Sequence, residues 1–63
     1  CMNDNRIHLI NISSGLKDAL HNAGFTIDSI LSYGPANLAE KLGIDEYVGQ
    51  IIFNETKKLR INF

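Results

Sequence analysis

The chain has 63 residues, 44% of them hydrophobic and 21% charged, with a formal net charge of −1 at pH 7. A chain this short forms one small domain that buries only about 60% of the surface its unfolded form exposes, which excludes an enzyme cleft of the usual depth. The composition is that of a folded domain rather than a disordered tail. The near-zero charge excludes strong non-specific attraction to nucleic acid, since that attraction comes from Lys and Arg displacing counterions, so any such contact has to be local and weak.

Residues 1–6 lack the apolar core of a signal peptide and no apolar run is long enough to span a membrane, so an intracellular location (cytoplasm and nucleoid, or nucleus) is expected. This opening segment is expected to be flexible. The single cysteine, Cys1, cannot close an internal disulfide and reads as a remnant or a fragment boundary. Ile7, Leu9 and Asn11 alternate with His8 and Ile10 too briefly for a strand, and the run reads as an extended lead-in or one turn of helix.

Four helices follow from their punctuation. Ser13 or Ser14 caps a first helix whose core face is Leu16, Ala19, Leu20 and Ala23, ended by Gly24. Thr26 caps a short second helix with Ile27, Ile30 and Leu31 inward. Gly34 ends it, and Pro35 then opens a third helix at the position where a missing N–H costs nothing. The third helix buries Leu38, Ala39 and Leu42 and stops at Gly43, with Asp45 available as the cap of a fourth helix over residues 46–60. Its apolar stripe is Val48, Ile51, Ile52 and Leu59. Glu46 stands near its positive end and Lys57, Lys58 and Arg60 near its negative end, as the macrodipole favours. Connections of two to four residues between helices this short give an all-α class, a compact bundle of four to five short helices.

Leu42, Gly43, Ile44 and Asp45 thus read as a tight hairpin between two helices, whose outward amides, with the positive end of the next helix, form an anion site. A weak internal repeat doubles it: Leu9, Asn11, Ile12, Ser13 and Leu20 stand in the relative places of Lys41, Gly43, Ile44, Asp45 and Ile52. Asn11 takes the place of Gly43, and Asn is the non-glycine residue that best tolerates a left-handed backbone.

On these residues the chain resembles a known family. Leu9-Ile10-Asn11-Ile12-Ser13, Leu20 with Ala23-Gly24-Phe25, residues 27–33, Pro35, Leu38-Ala39-Glu40, and Gly43-Ile44-Asp45 with Gly49 and Ile52 resemble the tandem helix-hairpin-helix domain at the N-terminus of RadA-type strand-exchange recombinases. Residues 9–59 carry the likeness. Similar pairs occur in NusA, in the RNA polymerase alpha subunit and in repair nucleases and helicases. The resemblance implies a paired helix-hairpin-helix, SAM-like architecture over residues 1–63. It also implies an accessory domain of a larger DNA repair or recombination protein, non-enzymatic in itself, which binds DNA phosphates without reading bases. The family hairpin reads Gly, hydrophobic, Gly; here Asp45 stands in the second glycine place, Gly49 where Ala is usual, and Asn11 and Ser13 in both glycine places of the first hairpin.

The expected DNA contacts are the backbone of Asn11, Ile12, Ser13 and Ser14 with Lys17, and, as a second contact, Gly43 and Ile44 with Lys41. Asp45 and Glu46 oppose a phosphate at the second hairpin, by charge and because an Asp45 cap engages the amides a phosphate needs. These carboxylates and the near-neutral charge favour an alternative, a protein interaction or oligomerisation module that keeps the fold without binding DNA. Cys1, His8 and His21 lack metal-ligand spacing, and no metal or other cofactor is expected. Ser14, Asp18 and His21 are spaced by the helical turn and have no oxyanion site beside them, so no catalytic site is read there. No phosphate-cradling Gly-rich loop with a Lys occurs. Of the aromatic residues, Phe25, Tyr33 and Phe53 are expected in the core, with Tyr47 and Phe63 exposed.

Overall fold

The computed structural model describes residues 5–61 and is all-helical over them. A 3-10 helix, Asn5–Leu9, is followed by α1 (Ser14–Asn22), α2 (Ile27–Tyr33), α3 (Pro35–Leu42) and α4 (Glu46–Ile61). The expected loose segment 1–6 lies outside the described residues up to position 4, and the 3-10 helix begins at Asn5.

Local chemistry sets the boundaries. Ser13 is the N-cap of α1, its hydroxyl accepting from the Leu16 amide at 3.3 Å. Thr26 starts α2 with a reciprocal capping box: its hydroxyl accepts from the Ser29 amide, and its own amide donates to Ser29 Oγ at 3.0 Å. Gly24 at φ 80° and Gly43 at φ 69° close α1 and α3. At both ends two hydrogen bonds wrap the turn: Gly24 N–H to the His21 carbonyl and Phe25 N–H to Leu20, then Gly43 N–H to Glu40 and Ile44 N–H to Ala39. This is the Schellman arrangement, and each time the residue after the glycine, Phe25 or Ile44, folds back onto the apolar cluster.

The core is Ile7, Ile10, Leu20, Phe25, Ile27, Ile30, Leu38 and Ile52, with Leu16, Leu31, Leu42, Val48 and Leu59 packed at its margin. α3 and α4 make the most extensive helix pair, α2 touches both, and α1 packs on the 3-10 helix. α3 and α4 meet at Gly49, where an added Cβ would lie 2.6 Å from the Pro35 carbonyl oxygen and 2.8 Å from the Ala39 Cβ. Thr56 is fully buried yet satisfied, its hydroxyl donating to the Ile52 carbonyl at 2.7 Å.

Several expectations are corrected. In the lead-in the buried pair is Ile7 and Ile10, three apart as on a 3-10 helix, and Leu9 is exposed. Ala23 is exposed because it is the C-cap of α1 rather than part of its inner face. Tyr33 is 40% exposed and makes an edge contact with buried Phe25 at 4.9 Å between ring centroids. Ile51, 38% exposed, lies on the outward side of α4 because the inner stripe runs through Gly49, Ile52 and Thr56 instead. Phe63 lies outside the described residues.

Candidate phosphate-binding turns

The two expected hairpins differ in the structure. At the second, the left-handed Gly43 turns the chain between α3 and α4, but the amides of Gly43 and Ile44 already donate to Glu40 and Ala39. The outward amides are those that follow, at the start of α4, where the first-turn N–H groups have no helical partner. Glu46 stands in that first turn. Asp45 does not act as the expected side-chain cap: among the described residues no hydrogen bond reaches its carboxylate, although its carbonyl accepts the first helical bond from Gly49 at 3.0 Å. Lys41 is exposed two residues before the glycine, on an open cleft it shares with Ser32, Tyr33, Asn37 and Glu40.

The first turn is not a copy of the second. Among the described residues none but glycine has positive φ, so Asn11 does not adopt the left-handed conformation expected of it. The preceding element is a short 3-10 helix, and the chain enters α1 through a bend in which the Ile12 amide donates to the Ile10 carbonyl at 2.8 Å. Ile12 is packed against the core while Asn11, Ser13 and Ser14 are exposed. No acidic residue occupies the first turn of α1. The N-cap hydroxyl accepts from the Leu16 amide, and the Lys17 amide donates to the Ser13 carbonyl, so the amides of Ser14 and Gly15 remain as the open end of the helix.

Lys17, half-buried, donates through Nζ to the His8 carbonyl oxygen at 2.9 Å and so ties α1 to the 3-10 helix. Its ammonium keeps two further N–H groups. One turn along, the His21 ring lies 6.4 Å from that of His8. The sequence reading missed this meeting of His8, Lys17 and His21; only the four-residue spacing of Lys17 and His21 hinted at a shared face. Among the described residues no group of three or more His, Cys, Asp or Glu side chains can hold a metal ion, and none is hydrogen-bonded within the set Ser14, Asp18 and His21.

The other cations, on α4, have intramolecular partners. Arg60 pairs with Asp28 in the first turn of α2, Lys58 with Glu55 at 3.2 Å, and Lys57 lies over the Phe53 ring at 5.7 Å. No helix among the described residues is long and apolar enough to cross a membrane. In comparison with known proteins, the chain matches no family model, no curated protein and no solved structure.

Proposed function

We propose that this domain binds the phosphate backbone of DNA, independently of sequence, through the amides at the start of α1, as an accessory domain of a repair or recombination protein with a helix-hairpin-helix ancestry. The observation that supports this reading is the exposed, acid-free N-terminus of α1; Lys17, in the same end of that helix, holds its ammonium on the His8 carbonyl with two N–H groups to spare. Backbone amides and one ammonium grip a phosphate without contacting base edges, so the contact positions DNA rather than reads it. The start of α4 is the weaker second contact because Glu46 stands in its first turn and the Gly43 and Ile44 amides are engaged.

Amide shifts of isotope-labelled protein, followed during titration with single-stranded and duplex DNA at two salt concentrations, test the reading. The expected result is salt-sensitive shifts over residues 11–17, with smaller ones over residues 45–47. Replacing Lys17 by Ala should weaken binding to all sequences alike and lower the logarithmic salt slope by about 1. Absence of shifts at DNA concentrations of about 1 mM, where contacts of about −4 kcal/mol register, overturns it.

A second reading, an interaction or oligomerisation module, is supported by a different observation. α4 exposes Tyr47, Ile51 and Ile61 on the side away from the core.

A further inference from the structure

Tyr33 ends α2 and Pro35 opens α3, and the corner between the two helices holds an open cleft of about 600 Å³ lined by Ser32, Tyr33, Asn37, Glu40 and Lys41. All five are exposed. The Tyr33 ring meets the buried Phe25 ring at 4.9 Å and 76°, and no other ring among the described residues. Its plane is thereby fixed while 40% of the residue stays in solvent. Asn37 Nδ2 donates to the Tyr33 carbonyl at 3.1 Å, which ties the start of α3 to the end of α2 and leaves one amide hydrogen and Oδ1 unused. Lys41 follows one turn later, about 6 Å along α3. Lys57, Lys58 and Arg60 are engaged within the chain, whereas the Glu40 carboxylate and the Lys41 ammonium have no hydrogen bond or ion pair among the described residues.

We propose that this cleft binds an unpaired adenine nucleotide, with the base stacked on Tyr33 and the phosphate at Lys41. An exposed aromatic ring whose plane is fixed takes a flat partner, and a nucleobase presents such a face. Glu40 and Lys41 cancel in charge, so the cleft draws in neither a bare anion nor a polycation. Its ligand has to combine a flat face, an edge of donors and acceptors, and one anionic group. The unused hydrogen and oxygen of the Asn37 amide are the complement of adenine N7 and N6, and the Glu40 carboxylate accepts from an exocyclic amino group while it repels the carbonyl oxygens of thymine. A base stacked on Tyr33 is out of its duplex, so the ligand is a free nucleotide or a single strand.

The cleft shares no residue with the start of α1, so it stands independently of the phosphate contact there. Titration of the isotope-labelled 63-residue chain with adenosine monophosphate, ribose 5-phosphate and inorganic phosphate, each to about 10 mM, tests it. Adenosine monophosphate alone should move the Tyr33 ring protons upfield and shift amides over residues 32–41. Lys41→Ala should lower the affinity for adenosine monophosphate to that for adenosine and leave adenosine binding unchanged. Asn37→Ala should abolish a preference of about fivefold or more for adenosine over thymidine monophosphate. Tyr33→Ala should weaken binding about fivefold or more and Tyr33→Phe less than about twofold, since the ring stacks and the hydroxyl does not. Tyr33 also packs on Phe25, so Tyr33→Phe and Asn37→Ala carry the test if Tyr33→Ala unfolds. The same Tyr33 shifts with a short oligodeoxyadenylate at lower nucleotide concentration assign the cleft to single-stranded DNA; shifts with the monophosphate alone assign it to a free nucleotide. Equal shifts with inorganic phosphate mean a plain anion site and overturn the proposal. Shifts confined to residues 11–17 overturn the cleft and leave the contact at α1 standing, and no shift at Tyr33 with any adenine ligand overturns it outright.

Discussion

Gly49 is fixed by its surroundings rather than by its backbone, which is ordinary helix. The helices α3 and α4 approach there so closely that the missing Cβ is the condition of their contact, and the atoms it would strike are the Pro35 carbonyl and the Ala39 Cβ, neither of them a flexible tip. Gly49→Ala should therefore destabilise by about 1–3 kcal/mol through overpacking, against a helix-propensity gain of about 1 kcal/mol. Gly15 supplies the control, since a Cβ at its exposed place on α1 meets nothing within 4 Å. Gly15→Ala should stabilise by about 0.5–1 kcal/mol. Urea unfolding of both variants measures the pair, and effects of one sign would refute the close-approach account. From sequence, Gly49 was legible only as a small residue on an apolar stripe, because what it touches belongs to another helix.

The helix ends depend on shorter-range chemistry. Thr26 and Ser29 bond reciprocally, so Thr26→Ala removes an acceptor and leaves an α2 amide without its partner, at an expected cost of about 1 kcal/mol. Gly43 holds φ 69°, and Gly43→Ala should cost about 1–2 kcal/mol, with Gly43→Asn costing less. A thermal unfolding series on these variants checks both magnitudes. Since caps and stops act within four residues, the starts and ends of α1 to α4 were legible within a residue or two, with Pro35 and Gly34 dividing α2 from α3. The candidate site was less legible. The glycine turn could be read at Gly43, yet which amides face outward depends on the Schellman bonds to Glu40 and Ala39. Asn11 failed as its counterpart because the element before it is 3-10, with too little helix to need a left-handed stop. The contacts of Lys17 with the His8 carbonyl and of Arg60 with Asp28 span 9 and 32 residues, beyond any local pattern.

The domain measures 26 × 24 × 21 Å, and its fully buried apolar side chains fill a single cluster to which every helix contributes. At roughly 0.05–0.15 kcal/mol per residue, a chain of this length has a total stability of about 3–9 kcal/mol. Ile52, with no exposed surface, lies on the longest helix among the described residues and in the cluster joining it to the others. Its truncation to Ala should cost about 2–5 kcal/mol, the ordinary loss for a buried Ile together with the cavity it leaves. That is a large part of the total, so Ile52→Ala should unfold much of the domain at 25 °C. No subset of helices should survive, because the buried side chains of the 3-10 segment, α1, α2, α3 and α4 (Ile7, Leu20, Ile30, Leu38 and Ile52 among them) belong to one cluster. Far-ultraviolet circular dichroism and amide dispersion should therefore be lost together in one urea transition, displaced to lower denaturant in the variant. Retention of native dispersion over residues 14–22 after α4 has lost its own would mean that α1 and the 3-10 helix fold as a separate unit, and the one-cluster account would fail.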